Sequence, residues 1–233
     1  MSFMLTWYGQ ASYMISSEIC SVLIDPYFSN SLTYQGFIRL YDSPVQKGTL
    51  KVDHVIATHD HGDHLDIETL RDYITFNKIY GPGSCIDVLR TEGFSDDKIQ
   101  GFNRGNTIEL GDMKFTAVYA EHTADSIGIV AECSGVKLYF TGDTLMSQNL
   151  ANVKSLNPDI LLTCINGKFG NMTWQEAVVL AHTLNVKLAI PAHYDLFIIN
   201  QEDPALFAGA FGNSTICCII MTRGKQYDIQ SLL

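Results

Sequence analysis

Residues 58–66 read Thr-His-Asp-His-Gly-Asp-His-Leu-Asp, so His59, His61 and His64 fall within six positions of one another, interleaved with Asp60, Asp63 and Asp66. Imidazole and carboxylate are the common protein ligands of borderline divalent ions, at about 2.0–2.2 Å from zinc. In an extended chain His59 and His61 point to the same side, while Asp63 and His64 open the next turn and reach a second position. Three further residues of ligand type close later segments: His122 ends KFTAVYAEH, Asp143 ends KLYFTGD and His193 ends KLAIPAH. One ion could take His59, His61 and His122, and the other Asp63, His64 and His193, with Asp143 between them. Two ions about 3.5–4 Å apart with a shared hydroxide lower the pKa of that water from 15.7 towards about 7, which supplies a nucleophile without a serine or cysteine. With no thiolate in the set, Zn²⁺ or Mn²⁺ is expected, and Fe²⁺ also fits.

Such residues work together only if the fold delivers them to one place. Short strands are expected at 4–8, 11–16 and 20–24, and "VDHVIAT" (52–58) reads as a buried strand running into the His/Asp cluster. Helices are expected from Asp66, with Ile67, Leu70 and Tyr73 on one face, and from Ser84, where Ser84 and Asp87 have capping-box spacing and Gly93 is a stop. Two hairpins follow, 106–110 with 113–121 and 126–133 with 136–141, then a strand at 157–165. A helix over 173–185 has Thr173 and Glu176 at capping-box spacing. The strand 186–193, a short helix near 203–210, and strands near 215–222 and 226–230 complete the chain. Every ligand-type residue thus sits just past a strand, and strand ends on one edge of a sheet converge on a crevice. The mixed order of strands and helices points to an α/β layered sandwich.

The 233 residues, 46% of them hydrophobic, suffice for a core within a single domain, 1–233. A net charge of −10 argues against nucleic acid or an anionic membrane as partner. No apolar run approaches membrane-spanning length and the N-terminus lacks a signal-peptide pattern, so a cytoplasmic location is expected. The six cysteines show no C-x-x-C spacing and read as reduced. His54, inside a strand, and His182, on a helix face, read as structural, and the aromatics and methionines as packing.

The order T-H-D-H-G-D-H, a single histidine, T-G-D and a final histidine resembles the metallo-β-lactamase superfamily. That resemblance implies a four-layer αββα sandwich of two mixed sheets flanked by helices, a metal site at one edge between the sheets, and Asp25 orienting a metal-binding histidine from behind. "WYGQASYMI", "INGKFGNMTWQEAVVLA" and "IPAHYDLF" are similar to the branch containing L-ascorbate 6-phosphate lactonase, in which Gln10 stands where other branches often carry histidine. The expected reaction is attack of the bridging hydroxide on the carbonyl of a lactone or related ester, with Asp63 and Asp143 as catalytic residues and Asp63 shuttling the proton. The expected substrate is a small, anionic, sugar-phosphate-like molecule. Asn166, Lys168 and Asn171 lead into a helix N-terminus that favours an anion, and Tyr194 is placed to donate to an oxyanion. Alternatives are cleavage of a small phosphodiester and a non-catalytic metal-binding regulator. A di-iron redox module is disfavoured, because those relatives carry glutamate where this chain has His61. Oligomeric state is not legible.

Overall fold

The computed structural model describes residues 2–233. The strands are Met4–Gly9 (β1), Ser12–Ser16 (β2), Ser21–Ile24 (β3), Leu50–Lys51 (β4), His54–Ile56 (β5), Ile74–Thr75 (β6), Lys78–Gly81 (β7), Ile99–Gly101 (β8), Thr107–Leu110 (β9), Met113–Tyr119 (β10), Ile127–Cys133 (β11), Val136–Phe140 (β12), Ile160–Cys164 (β13), Leu188–Ala192 (β14), Cys217–Cys218 (β15) and Gln226–Asp228 (β16). Three α-helices accompany them: Gly83–Thr91 (α1), Trp174–Leu184 (α2) and Pro204–Gly209 (α3). Two seven-stranded sheets result, ordered β16-β1-β2-β3-β5-β7-β8 and β15-β14-β13-β12-β11-β10-β9. Each sheet has an antiparallel part and a parallel part, β3-β5-β7-β8 in the first and β12-β13-β14-β15 in the second.

Alternation explains the layering. In β2, Tyr13 and Ile15 enter the central core and Met14 faces the other way; in β3, Val22 and Ile24 do the same with Leu23 opposed. The central core joins Trp7, Tyr13 and Ile24 of the first sheet to Phe115, Ile129 and Phe140 of the second. Leu23, Val55 and Ile79 pack outward on Cys85, Ile86 and Leu89 of α1. On the far side, Ala177, Leu180, Ala181 and Leu184 of α2 join the second sheet. The architecture is therefore the αββα sandwich of two mixed sheets with helices outside. Burial on both faces is why the parallel strands read as unbroken apolar runs.

Direction matters most for function. β1, β3 and β5 run the same way, and so do β10, β12, β13 and β14. Their carboxyl ends lead to Gln10, Asp25 and His59 on one sheet, and to His122, Asp143, Asn166 and His193 on the other.

Several local expectations change. The helix that follows Asp66 is short, ending by Tyr73 and widening to a π-turn over Thr69–Tyr73, and the Asp66 carboxylate accepts the hydroxyls of Ser29, Ser31 and Thr69, which also staples the 26–49 loop. The Ser84/Asp87 capping box does not form. Pro82 is the N-cap of α1, and the Ser84 amide and hydroxyl donate to Asp125 at 2.8 and 2.9 Å, tying the helix to the loop after His122. The Thr173/Glu176 box on α2 is present in both directions. The 215–222 strand shrinks to two residues beside β14, and β16 crosses to pair with β1. All six cysteines are free, four of them buried. Among the described residues no helix is long and apolar enough to cross a membrane.

Candidate metal centre

β5 ends at Ile56, and the chain turns over 58–65, with the amides of His64 and Leu65 both bonded to the His61 carbonyl. That turn carries His59, His61, Asp63 and His64 to the crevice between the sheet edges. Ligand atoms of three trios lie within 4.8 Å of one another: His59, His61 and His122; His59, His64 and Asp143; Asp63, His64 and His193. The seven ligand-type residues of the sequence thus meet at one rim. The Asp143 carboxylate stands between the groups, with Oδ1 3.2 Å from Nε2 of both His64 and His193, and Oδ2 3.8 Å from Nε2 of His122.

Outer partners fix which nitrogen faces inward. His64 Nδ1 lies 2.8 Å from Asp25 Oδ2, which leaves Nε2 for the centre. Asp25 also accepts the Thr58 amide on Oδ1 and the Thr58 hydroxyl on Oδ2, both at 2.7 Å. His122 Nδ1 donates to the Gly170 carbonyl at 3.1 Å, and Asn200 Nδ2 lies 3.0 Å from His193 Nδ1. Gln10 Nε2 donates to Asp63 Oδ2 at 2.9 Å.

The donor set fits divalent ions. His59 Nε2 and Asp143 Oδ1 are buried with no hydrogen-bond partner. The Nε2 atoms of His64 and His193 are 3.3 Å apart, each 3.2 Å from Asp143 Oδ1, so two imidazoles and a carboxylate oxygen converge within reach of one cation. Among the described residues, Asp25, Asp63 and Asp143 form ion pairs with histidines alone and with no Lys or Arg. Buried carboxylates without a permanent cation call for one from outside. Burial pushes His59 well below the ordinary imidazole value and His122 below it. Burial works against charge on His64 as well, but Asp143, Asp25 and Asp63 outweigh it and raise that imidazole. Burial would raise Asp143, yet His193 and His64 hold it well below the carboxylate range.

The remaining sequence candidates lie elsewhere. Asn171 Nδ2 donates to Asp143 Oδ2 at 2.9 Å, so this residue sits behind a ligand. Asn166 is buried and donates its amide to Asn200 Oδ1, which in turn holds His193. Lys168 Nζ is occupied by the Gln201 carbonyl at 3.1 Å. Tyr194 is buried and stacks on Trp7 with ring centroids 5.4 Å apart, pointing away from the centre because His193 turns through φ = 57°. Asn200 and Thr58 were not legible as site residues, since each looks like an ordinary polar residue and only the fold brings it to an imidazole.

A cavity of about 240 Å³ opens on the centre, lined by His61, Asp63, Asp143 and His193 together with Leu32, Gln35, Phe37, Phe169 and Asn200. A larger groove of about 720 Å³ beneath residues 38–47 touches none of the ligand-type residues.

Residues 21–194 match the family described as a beta-lactamase superfamily domain. The chain is 32% identical over 210 residues to a UPF0173 metal-dependent hydrolase of Hyperthermus butylicus, covering 85% of this chain and 86% of the relative. It is 29% identical over 242 residues to one of Archaeoglobus fulgidus, covering 96% and 98%. Igni18, a metallo hydrolase from Ignicoccus hospitalis, shares the fold with a TM-score of 0.75 at 22% identity, covering 97% of this chain and 98% of Igni18. The chain belongs to the metallo-β-lactamase superfamily and, within it, to the UPF0173 metal-dependent hydrolases.

Proposed function

We propose that His59, His61, His122, Asp63, His64, His193 and Asp143 hold two divalent ions, Zn²⁺ or Mn²⁺, and that the protein opens a lactone or related carboxylic ester of a small molecule. The observation that carries this reading is the Asp143 carboxylate standing between two groups of inward-facing imidazoles beside a cavity. Bound there, the ions supply Lewis acidity and a water acidic enough to be a nucleophile near neutral pH. The chain's own residues do the rest. Asp25 and Gly170 fix the tautomers of His64 and His122, Asn200 contacts the His193 ring at Nδ1, Asn171 orients Asp143, and Gln10 orients Asp63. Asp63 lines the cavity with its side chain 15% exposed, and so carries a proton between substrate and solvent.

A phosphorylated substrate, which the likeness to the lactonase branch implies, finds less support. Neither Lys nor Arg lines the cavity, and Lys168 is already bonded. The same lack of a cation weighs against a phosphodiester.

The test is elemental analysis of the purified protein, followed by turnover of γ-butyrolactone, phenyl acetate and bis(p-nitrophenyl) phosphate with added Zn²⁺ or Mn²⁺. Metal uptake with lactone or ester turnover is expected, and loss of both in Asp143→Ala. A folded Asp143→Ala variant that keeps its metal and its turnover refutes the assignment. Cleavage of the diester alone refutes the ester reading.

A further inference from the structure

We infer that the cavity beside the metal centre is an apolar, aromatic-walled subsite that takes a neutral aromatic or branched aliphatic group, attached to the bond that is hydrolysed. The inference rests on the hydrolase reading only in saying which end of the ligand reacts.

Three apolar residues from two separate segments make most of the wall, with the neutral Gln35 beside them. Leu32 lies against Gly62, where a Cβ would come within 2.8 Å of its Cδ2, so the metal-binding turn and the wall are in direct contact. Phe37 is held against Phe197 at 5.2 Å and against Phe169 at 5.6 Å. Its segment is stitched to the chain beyond His193 by Leu40 N to Leu196 O and Ile198 N to Ile38 O.

Phe169 is the most informative of the three. A side chain of this size is 54% exposed, which gains nothing for the core. It also adopts φ = 54°, a left-handed conformation that a bulky residue rarely takes. Strain of this kind persists where the surroundings enforce it, and it clusters at ligand sites. Here the enforcement is visible. The neighbouring Gly170 carbonyl receives His122 Nδ1, and a Cβ on Gly170 would sit 2.8 Å from the same atom. Gly167 N bonds Met172 O and Asn171 N bonds Lys168 O, which closes the loop on both sides. The loop that orients a metal-binding imidazole thus also presents a phenyl ring to the cavity.

Size and charge select the ligand. A dry cavity of about 150 Å³ takes benzene, so about 240 Å³ holds one ring with a short linker and an ester group. An anionic distal group would lose its hydration against Leu32, Phe37 and Phe169 and gain no Lys or Arg in return. A neutral ring gains stacking on both phenylalanines.

The experiment measures binding apart from turnover, by ligand-observed NMR and calorimetry on the zinc-loaded protein, with phenylacetamide and ribose 5-phosphate as probes. Phenylacetamide is expected to bind, to bind about tenfold more weakly in Phe169→Ala or Phe37→Ala, and to recover in Phe169→Leu; circular dichroism checks that each variant is folded. Failure of phenylacetamide to bind, unchanged binding in both alanine variants, or tighter binding of ribose 5-phosphate than of phenylacetamide overturns the inference. Because binding is read apart from turnover, a protein that binds phenylacetamide as expected but hydrolyses no lactone or ester refutes the reaction and leaves the subsite standing.

Discussion

Asp25→Asn separates a positioning role from a merely structural one. Asp25 is 1% exposed and accepts three donors: the Thr58 amide on Oδ1, and the Thr58 hydroxyl and His64 Nδ1–H on Oδ2. Asparagine preserves the volume and tolerates the left-handed backbone at φ = 45°. One oxygen must still become an NH₂ group. If it replaces Oδ1, it meets the Thr58 N–H at 2.7 Å, donor against donor. If it replaces Oδ2, it faces His64 Nδ1, which must then present a lone pair, and the ring proton moves to Nε2. That is the atom turned toward His193 and Asp143, and a protonated nitrogen binds no metal. Losing the partner behind a metal-binding histidine costs roughly ten- to a hundred-fold in affinity, equivalent to about 1.4–2.7 kcal/mol. Calorimetric titration of the metal-free protein with Zn²⁺ reads this directly, and ¹⁵N NMR of the His64 ring reads the tautomer. Wild-type affinity in a folded Asp25→Asn protein would show that the Asp25–His64 contact does not prepare the ligand.

Other expectations follow from the same geometry. Gly170→Ala puts a Cβ 2.8 Å from His122 Nδ1 at a backbone φ of 82°, so the imidazole must move; zinc affinity should fall about tenfold, and unaltered metal stoichiometry and affinity would contradict the role given to this carbonyl. Thr173→Ala removes the capping box of α2 at a cost of about 1 kcal/mol. In a protein of this size that lowers Tm by about 2–4 °C, read by scanning calorimetry, while elemental analysis should find the metal content unchanged.

How much of this was legible in the sequence depended on whether a residue acts in company. His59, His61, Asp63 and His64 advertise themselves by density, and His122, Asp143 and His193 by falling one to three residues past a strand. The strands were readable because period-2 patterning and apolar runs are local signals. So was the capping box at Thr173. The outer partners were not. Asn200 becomes a partner of His193 only after the 194–200 segment folds back, and Asn166 acts on His193 only through Asn200. Asn166, Asn171 and Lys168 looked like an anion-binding loop because the same polar residues that make a tight turn also bind phosphate. In the fold their side-chain donors are spent on Asn200, Asp143 and Gln201. Ser84 and Asp87 matched a capping box by spacing, but Asp125, 41 residues away, reached the helix terminus first.

The cavity walls failed to stand out for a different reason. A phenylalanine in a sequence reads as packing, and Phe37 does pack, on Phe197. Phe169 breaks the rule through its backbone, which sequence does not display. The same holds at the centre itself, where Gln10, Asp25 and His193 all take left-handed φ values of 52°, 45° and 57°. None is glycine, and strain at such positions is of order 1–3 kcal/mol each. Each follows a strand, and each bends the chain at the sheet edge so that its own side chain turns into the crevice. The bends hold one another: His193 N donates to the Gln10 carbonyl, which also receives the Trp7 indole, while Asp25 N donates to Ile56 O on β5. A rim built this way has its ligands fixed by backbone hydrogen bonds across two sheets. Substitutions at Gln10 are therefore expected to disturb His193 even where the Gln10 amide itself is dispensable.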